Sequence, residues 1–240
     1  MAQEKRETYW LEDTIWHTPL NVIYHYSVHL DILPVEQKKT KSFRKADEML
    51  KAAIALLGIH IDDSKQYWLQ PVPDSEKTPD VRTGTPAPLV EGQPPLFETQ
   101  DVEVVDFIPE PGEDIATFLG RTKLSPGKAY DAKTTILCHI QTEIYTPSLQ
   151  GITGTLRENS AVCSVLVLGR THPTRKDYAL FQVHPQFKII AEYNVKEALE
   201  KNPQTGTLHM RRGSKPNNKS RPEEKHCPFE SLGFECPLIK

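Results

Sequence analysis

The chain has 240 residues, of which 38% are hydrophobic, and its 29 Lys and Arg residues against 32 Asp and Glu residues give a formal net charge of −3. Four cysteines in this length exclude a small disulfide-stapled scaffold, and no segment approaches the ~18 consecutive apolar residues of a membrane-spanning helix. The first residues also lack a hydrophobic signal region, so we expect an intracellular protein of the cytoplasm with no membrane partner.

The first predicted element is a long strand over residues 22–33. Val22, Tyr24 and Tyr26 begin an alternation of apolar and polar positions that continues to Leu33. A period of two residues is typical of a half-buried strand. His25 and His29 would then share the polar face of this strand, about 13 Å apart along it.

An amphipathic helix is predicted next, over residues 43–57. Its apolar residues recur at helical spacing, and they are Phe43, Ala46, Leu50, Ala53, Ile54 and Leu57. Four charged residues are predicted to point away from that face, namely Arg44, Lys45, Glu48 and Lys51. Gly58 stands where a left-handed C-cap is expected, so the helix is predicted to end there and to pack on the first strand.

Residues 71–101 are predicted to form a Pro-rich, acidic insertion, either a linker or a long loop. Nine of the 20 prolines fall in residues 71–111, and residues 74–114 hold eleven acids against Lys77 and Arg82. Prolines remove backbone donors, and a local excess of negative charge disfavours collapse.

The second half of the chain is predicted to be rich in strands. Strands are expected near residues 66–70, 102–108, 134–145, 161–168, 178–183 and 187–193, with short helices over 113–119 and 195–201. Because several strands follow one another without room for crossover helices, the predicted fold is α+β. It consists of a mostly antiparallel, mixed sheet with one main amphipathic helix on one face and the Pro-rich acidic insertion.

A single domain over residues 1–205 and a flexible basic tail over residues 206–240 complete the predicted organisation. Residues 211–225 contain six Lys and Arg residues against two Glu residues. The tail ends in an apolar tip with Phe229, Leu232 and Phe234, which we expect to bind a protein partner.

A possible catalytic site combines His25 and His29 with His139 and Glu143 of the strand 134–145. If the two strands were neighbours, these residues would supply a general base, or nitrogen and carboxylate ligands for a metal. The alternative is that they are ordinary polar residues of a half-solvated sheet, and this is the reading that the spacing favours.

A possible anion-binding or nucleic-acid-binding surface is basic. Arg157 follows two glycines in a turn, and a later loop carries Arg170, His172, Arg175 and Lys176. Such a surface would contact the phosphates of RNA or another polyanion. The turn has neither the P-loop nor the dinucleotide-binding pattern, so ordinary connecting loops are the alternative.

No diagnostic catalytic motif is present, and we predict neither a cofactor nor a metal. The C-terminal residues His209, His226, Cys227 and Cys236 lack the spacing of zinc sites. The leading functional prediction is a non-enzymatic binding or assembly protein that acts on a protein partner through its folded body and flexible segments. The alternatives are an RNA-binding or polyanion-binding protein and an enzyme with a His/Glu site on a sheet face.

Overall fold

The structure is a computed structural model. It describes residues 16–32, 41–72, 79–86, 97–124, 130, 133–143, 149, 152, 156, 162–171, 177–201 and 207–208. The chain divides into two compact units, Met1–Met210 and Arg211–Lys240. All described elements belong to the first unit. The apolar tip and most of the predicted basic tail lie outside the described residues.

A mixed sheet is the centre of the first unit. Its described strands are β1 (Trp16–His17), β2 (Trp68–Pro71), β3 (Val81–Pro86), β4 (Phe97–Asp106), β5 (Thr134–Glu143), β6 (Ser164–Arg170), β7 (Asp177–His184), β8 (Lys188–Asn194) and β9 (Thr207–Leu208). The spatial order is β8-β7-β6-β5-β4-β3-β2-β1-β9. The pairs β4–β5 and β5–β6 are parallel, whereas the other neighbouring pairs are antiparallel. The predicted α+β class with a mostly antiparallel, mixed sheet is confirmed.

Four described helices accompany the sheet: α1 (Pro19–Ile32), α2 (Lys41–Asp63), α3 (Ile115–Thr122) and α4 (Val195–Lys201). One buried cluster joins α1, α2 and α4 to one sheet face through residues such as Val102, Leu137 and Leu180. A second cluster joins α3 to the other face through Ile136, Val165 and neighbouring residues. Because both faces are covered, β6 is apolar along most of its length.

The predicted strand over residues 22–33 is wrong, because this segment is helix α1. Pro19 occupies the first helical turn, where its missing N–H costs nothing, and Thr18 Oγ1 accepts the Asn21 N–H at 3.2 Å. Val22 and Tyr26 are buried and Tyr24 is 40% exposed. An i,i+4 helical face therefore accounts for the pattern that suggested alternation.

The predicted helix over residues 43–57 is confirmed, although α2 extends further at both ends. Gly58 does not cap it, and the positive φ of 59° falls at Ser64, just past the last residue of the helix. Gly58 instead provides space inside the helix, since a Cβ there would lie 2.8 Å from Tyr193 Cε1. Tyr193 also donates a hydrogen bond to the Ile54 carbonyl oxygen. The glycine thus allows α2 to lie close to β8.

Described strands lie within residues 71–101, the range predicted to be a Pro-rich insertion. Strand β3 and the beginning of β4 lie inside residues 71–101, and residues 73–78 and 87–96 lie outside the described part. The sequence VRTGTP of β3 has little apolar content, so it gave no strand signal, yet β3 pairs with both β2 and β4. Likewise β9 pairs with β1 although residues 206–240 were assigned to the tail. No helix among the described residues is long and apolar enough to cross a membrane.

Candidate active site

The four residues of the predicted histidine and glutamate site are not held together by neighbouring strands. His25 lies on α1, half-buried, with its ring edge-on to Tyr26 at a centroid distance of 5.2 Å. His29 lies further along the same helix, while His139 and Glu143 belong to β5. That arrangement required residues 22–33 to be a strand beside β5, so its structural premise is wrong.

One residue of the predicted basic surface is described. Arg170 ends β6, is exposed, and places its guanidinium 6.0 Å from the centroid of the Tyr178 ring. The positions of Arg157, His172, Arg175 and Lys176 lie outside the described residues. The basic surface therefore stays a prediction.

A different group of charged residues converges near the start of β3. We call it the carboxylate–lysine cluster; its members are Lys45, Glu48, Asp80, Glu103 and Lys123. The Lys45 ammonium lies 3.4 Å from Asp80 Oδ1 and 3.7 Å from Glu48 Oε2. The Lys123 ammonium lies 2.8 Å from Glu103 Oε2 and 3.9 Å from Asp80 Oδ2. Asp80 therefore stands between the two lysines.

Backbone pairing fixes Asp80 at the centre of the cluster. Its N–H donates to the Val102 carbonyl oxygen at 3.1 Å, and its Oδ2 accepts the Val104 N–H at 2.9 Å. These bonds extend the pairing of β3 with β4 by one residue beyond Val81. Lys45 reaches Asp80 from α2, and Lys123 reaches it from the C-terminal end of α3. Asp80 is thus contacted by lysine side chains from two helices that lie on opposite faces of the sheet.

Burial changes the acidity of the two glutamates. Burial and the nearby Asp80 charge raise the pKa of Glu48 to about 7, against the opposing effect of Lys45 and Arg44. Burial likewise raises the pKa of Glu103, although the hydrogen bond from Lys123 opposes the change. A carboxyl group that titrates near neutral pH can exchange a proton during a reaction.

Two carboxylate oxygens of the cluster are buried without a hydrogen-bond partner among the described residues: Glu48 Oε2 and Glu103 Oε1. Only 5% of the Glu103 side chain and 13% of the Glu48 side chain is exposed. An unsatisfied buried polar group costs about 1–3 kcal/mol, and more when it is charged. The cluster therefore lowers the free energy of unfolding, which favours a functional explanation for it.

A second charged group lies on the α2 side of the sheet, where the parallel strands β4 and β5 run side by side. His139 Nδ1 is 2.9 Å from Asp106 Oδ1, and the Lys51 ammonium is 2.7 Å from the same carboxylate. Lys51 also pairs with Asp47, one helical turn earlier. Although burial opposes it, hydrogen bonds from His139 and Lys51 lower the pKa of Asp106 to about 2. This group is fully paired, as expected of a structural ion-pair network.

Sequence reasoning missed both groups for an identifiable reason. Lys45, Glu48 and Lys51 were assigned to the solvent side of α2, yet only 7% of Lys51 is exposed. Asp80, the residue before β3, falls within the predicted Pro-rich insertion, where its charge is expected to be solvated. The sequence does not single out Glu103 either, because β4 also carries Glu98, Asp101 and Asp106. Once Glu103 is buried its charge needs a partner, and Lys123 provides it.

The described residues contain no three His, Cys, Asp or Glu groups arranged as a ready ligand set for a metal ion. Comparisons with models of known protein families, with curated proteins and with solved structures found no match for this chain. The chemistry of the cluster is therefore argued from its geometry alone.

Proposed function

We propose that the protein is a hydrolase of phosphate esters that works at the carboxylate–lysine cluster with the help of a divalent cation. The observation that supports this proposal is the convergence of three carboxylates and two lysines, with two buried carboxylate oxygens that have no hydrogen-bond partner among the described residues. Such an arrangement matches a substrate that brings both negative charge and a metal ion to the site.

Asp80 and Glu103 are the proposed ligands of the cation. Both already attract one positive charge, the ammonium of Lys123. Magnesium is commonly held by only one or two carboxylates, and water and substrate phosphate oxygens complete its coordination. Two protein carboxylates are thus enough, and a set of three ligands is not needed before the substrate binds.

Lys45, Lys123 and Glu48 have the remaining roles. The two ammonium groups would stabilise negative charge on the phosphoryl oxygens. Glu48 would accept a proton from the attacking water, since its pKa of about 7 suits a base near neutral pH. The water oxygen would bond to phosphorus as Glu48 takes its proton, the bond from phosphorus to the leaving oxygen would break, and that oxygen would take a proton from solvent. A divalent cation held by Asp80 and Glu103 would stabilise the negative charge on the oxygens.

The test is hydrolysis of single-stranded DNA, double-stranded DNA, RNA and bis(4-nitrophenyl) phosphate by the full chain, with Mg²⁺ or Mn²⁺ and with EDTA. We expect cation-dependent turnover that falls about 100-fold or more in Asp80→Asn and Glu103→Gln. Glu98→Gln is the matched control, because Glu98 lies on the same strand but is exposed. Absence of turnover on every substrate, or full activity of both variants in folded protein, would contradict the proposal.

RNA binding by the basic surface is the second candidate function, and the exposed Arg170 beside Tyr178 is the observation that favours it. Retention of RNA that weakens steeply with salt would support it, because phosphate contacts release counterions. The role of a non-enzymatic binding or assembly protein stays a prediction, since Phe229, Leu232 and Phe234 lie outside the described residues. Removal of residues 206–240 with retention of every partner would count against that role.

A further inference from the structure

A cavity of about 270 Å³ lies between helix α2 and the sheet, separate from the carboxylate–lysine cluster. Its α2 wall is apolar and is built from Ala52, Ala55, Leu56 and Ile59. Its opposite wall mixes the apolar Val102, Leu137, Leu166 and Ile190 with a polar residue from each of five adjacent strands, β3 to β7: Thr83, Gln100, Thr135, Ser164 and Gln182. Tyr67 lines it as well.

A polar row at this place is unusual, because a sheet face that packs against a helix is normally apolar. The row is partly connected, since Gln100 Nε2 donates to Thr135 Oγ1 at 2.6 Å, and Thr83 Oγ1 donates to the backbone carbonyl oxygen of Gln100 at 3.2 Å. A glutamine amide has a carbonyl oxygen and two N–H donors, so one such bond uses only part of its capacity. Gln182 Nε2 donates to the Gln186 carbonyl oxygen at 3.2 Å, and Ser164 Oγ donates to the His184 carbonyl oxygen at 3.3 Å. The row therefore consists of amide and hydroxyl groups that each have part of their hydrogen-bonding capacity in use.

The charge of the cavity is balanced within the protein. Asp62 and Lys188 both line it, and the Lys188 ammonium lies 2.5 Å from Asp62 Oδ2. The other side chains named on its walls are uncharged. A ligand of this cavity is therefore expected to carry no net charge, with one polar edge toward the strands and apolar surface toward α2.

We propose that this cavity binds an uncharged heterocyclic base. Glutamine amides match the edge of such a base, which alternates donors and acceptors in one plane. Ligand pockets usually span about 300–1,000 Å³, so a cavity of about 270 Å³ suits a base or nucleoside rather than a larger molecule. The proposal does not depend on hydrolysis at the carboxylate–lysine cluster.

The test is binding of free adenine, cytosine and uracil and of their nucleosides to the full chain, measured by saturation-transfer NMR and calorimetry. Inositol and benzoate serve as comparison ligands, the first polar but not planar and the second planar but charged. Ala55→Leu fills the apolar wall, and Gln182→Met removes one amide. Gln141→Met, the same substitution at an exposed position of β5, is the matched control.

We expect at least one base or nucleoside to bind, with an affinity about tenfold or more weaker in both cavity variants and unchanged in Gln141→Met. If Ala55→Leu does not fold, Gln182→Met decides alone. The proposal is overturned if no base or nucleoside binds, if inositol or benzoate binds as tightly as the best of them, or if every folded cavity variant keeps the wild-type affinity. None of these results depends on activity at the carboxylate–lysine cluster.

Discussion

Replacement of Glu48 by glutamine tests the energetic cost of the buried carboxylates. Burial raises the pKa of Glu48 from 4.5 to about 7. Over that pH range the folded protein binds a proton that the unfolded chain has lost, so the free energy of unfolding falls as the pH rises. A shift of roughly 2.5 pKa units at about 1.4 kcal/mol per unit corresponds to a loss of about 3 kcal/mol above neutral pH.

The variant Glu48→Gln removes this titration and preserves the shape of the side chain. The attraction of Lys45 at 3.7 Å already opposes burial within that pKa, so its loss is not subtracted again. We therefore expect the variant to be about 3 kcal/mol more stable than the wild type near pH 8, and the gain to disappear as the pH falls to about 4. Urea unfolding at a series of pH values gives this difference directly.

Glu200→Gln is the matched control, because 63% of the Glu200 side chain is exposed and it only faces Lys196 at 3.9 Å. Its effect is expected to stay within about 0.5 kcal/mol at every pH. The reasoning is refuted if Glu48→Gln is less stable than the wild type near pH 8, or if its effect on unfolding does not change with pH.

Three further predictions concern stability and are checked by urea unfolding. Gly58→Ala is expected to cost about 1–3 kcal/mol because the new Cβ would meet Tyr193 at 2.8 Å, whereas Gly120→Ala, with no atom within 4 Å, is expected to gain about 0.5–1 kcal/mol. Asp114→Ala removes the cap of α3 and is expected to cost about 1 kcal/mol. Asp106→Asn is expected to cost about 2 kcal/mol near pH 7, and the cost shrinks as the pH falls toward 2, because the folded-state pKa is lowered from 3.8 to about 2. The first prediction is contradicted if the two glycine substitutions change the free energy of unfolding equally. The second is contradicted if Asp114→Ala leaves that free energy unchanged, and the third if the cost of Asp106→Asn does not vary with pH.

Most of the sheet and helix α2 could be predicted because the spacing of their apolar residues fits only one type of secondary structure. The apolar positions of α2 recur every three or four residues, which no strand reproduces, and β6 is apolar along most of its length. Helix α1 could not be separated from a strand in this way. Val22 and Tyr26 are four residues apart, and four is a multiple of two, so the same pair satisfies both periods. The pair Thr18-Pro19 is a helix start signal, and it distinguishes the helix from a strand here.

The candidate site was not predictable from local patterns, because its residues are far apart in the chain. Lys45 and Asp80 come into contact only after α2 packs on the sheet, and Lys123 reaches Glu103 only after α3 covers the other face. A charge on an amphipathic helix is normally solvated, so the pattern gave no reason to bury Glu48. Strand order, which places β4 between β3 and β5, is the information that the sequence lacked.

Helix α2 combines two opposite contributions to stability, and this gives a way to separate a structural from a functional origin of the buried charges. Its second half packs Ala53, Ile54 and Leu57 into the core, while its first half brings Glu48 to a place where a buried carboxylate oxygen has no hydrogen-bond partner among the described residues. Burial alone predicts a gain in stability for Glu48→Gln, so the change in hydrolysis is what distinguishes the two origins. If Glu48 serves a reaction, the variant is expected to gain stability and to lose hydrolysis together, the usual trade-off at a functional site. Stability and turnover should be measured on one preparation of the variant. If Glu48→Gln gains stability and keeps its turnover, the carboxylate–lysine cluster can still be the active site, but Glu48 is not its base.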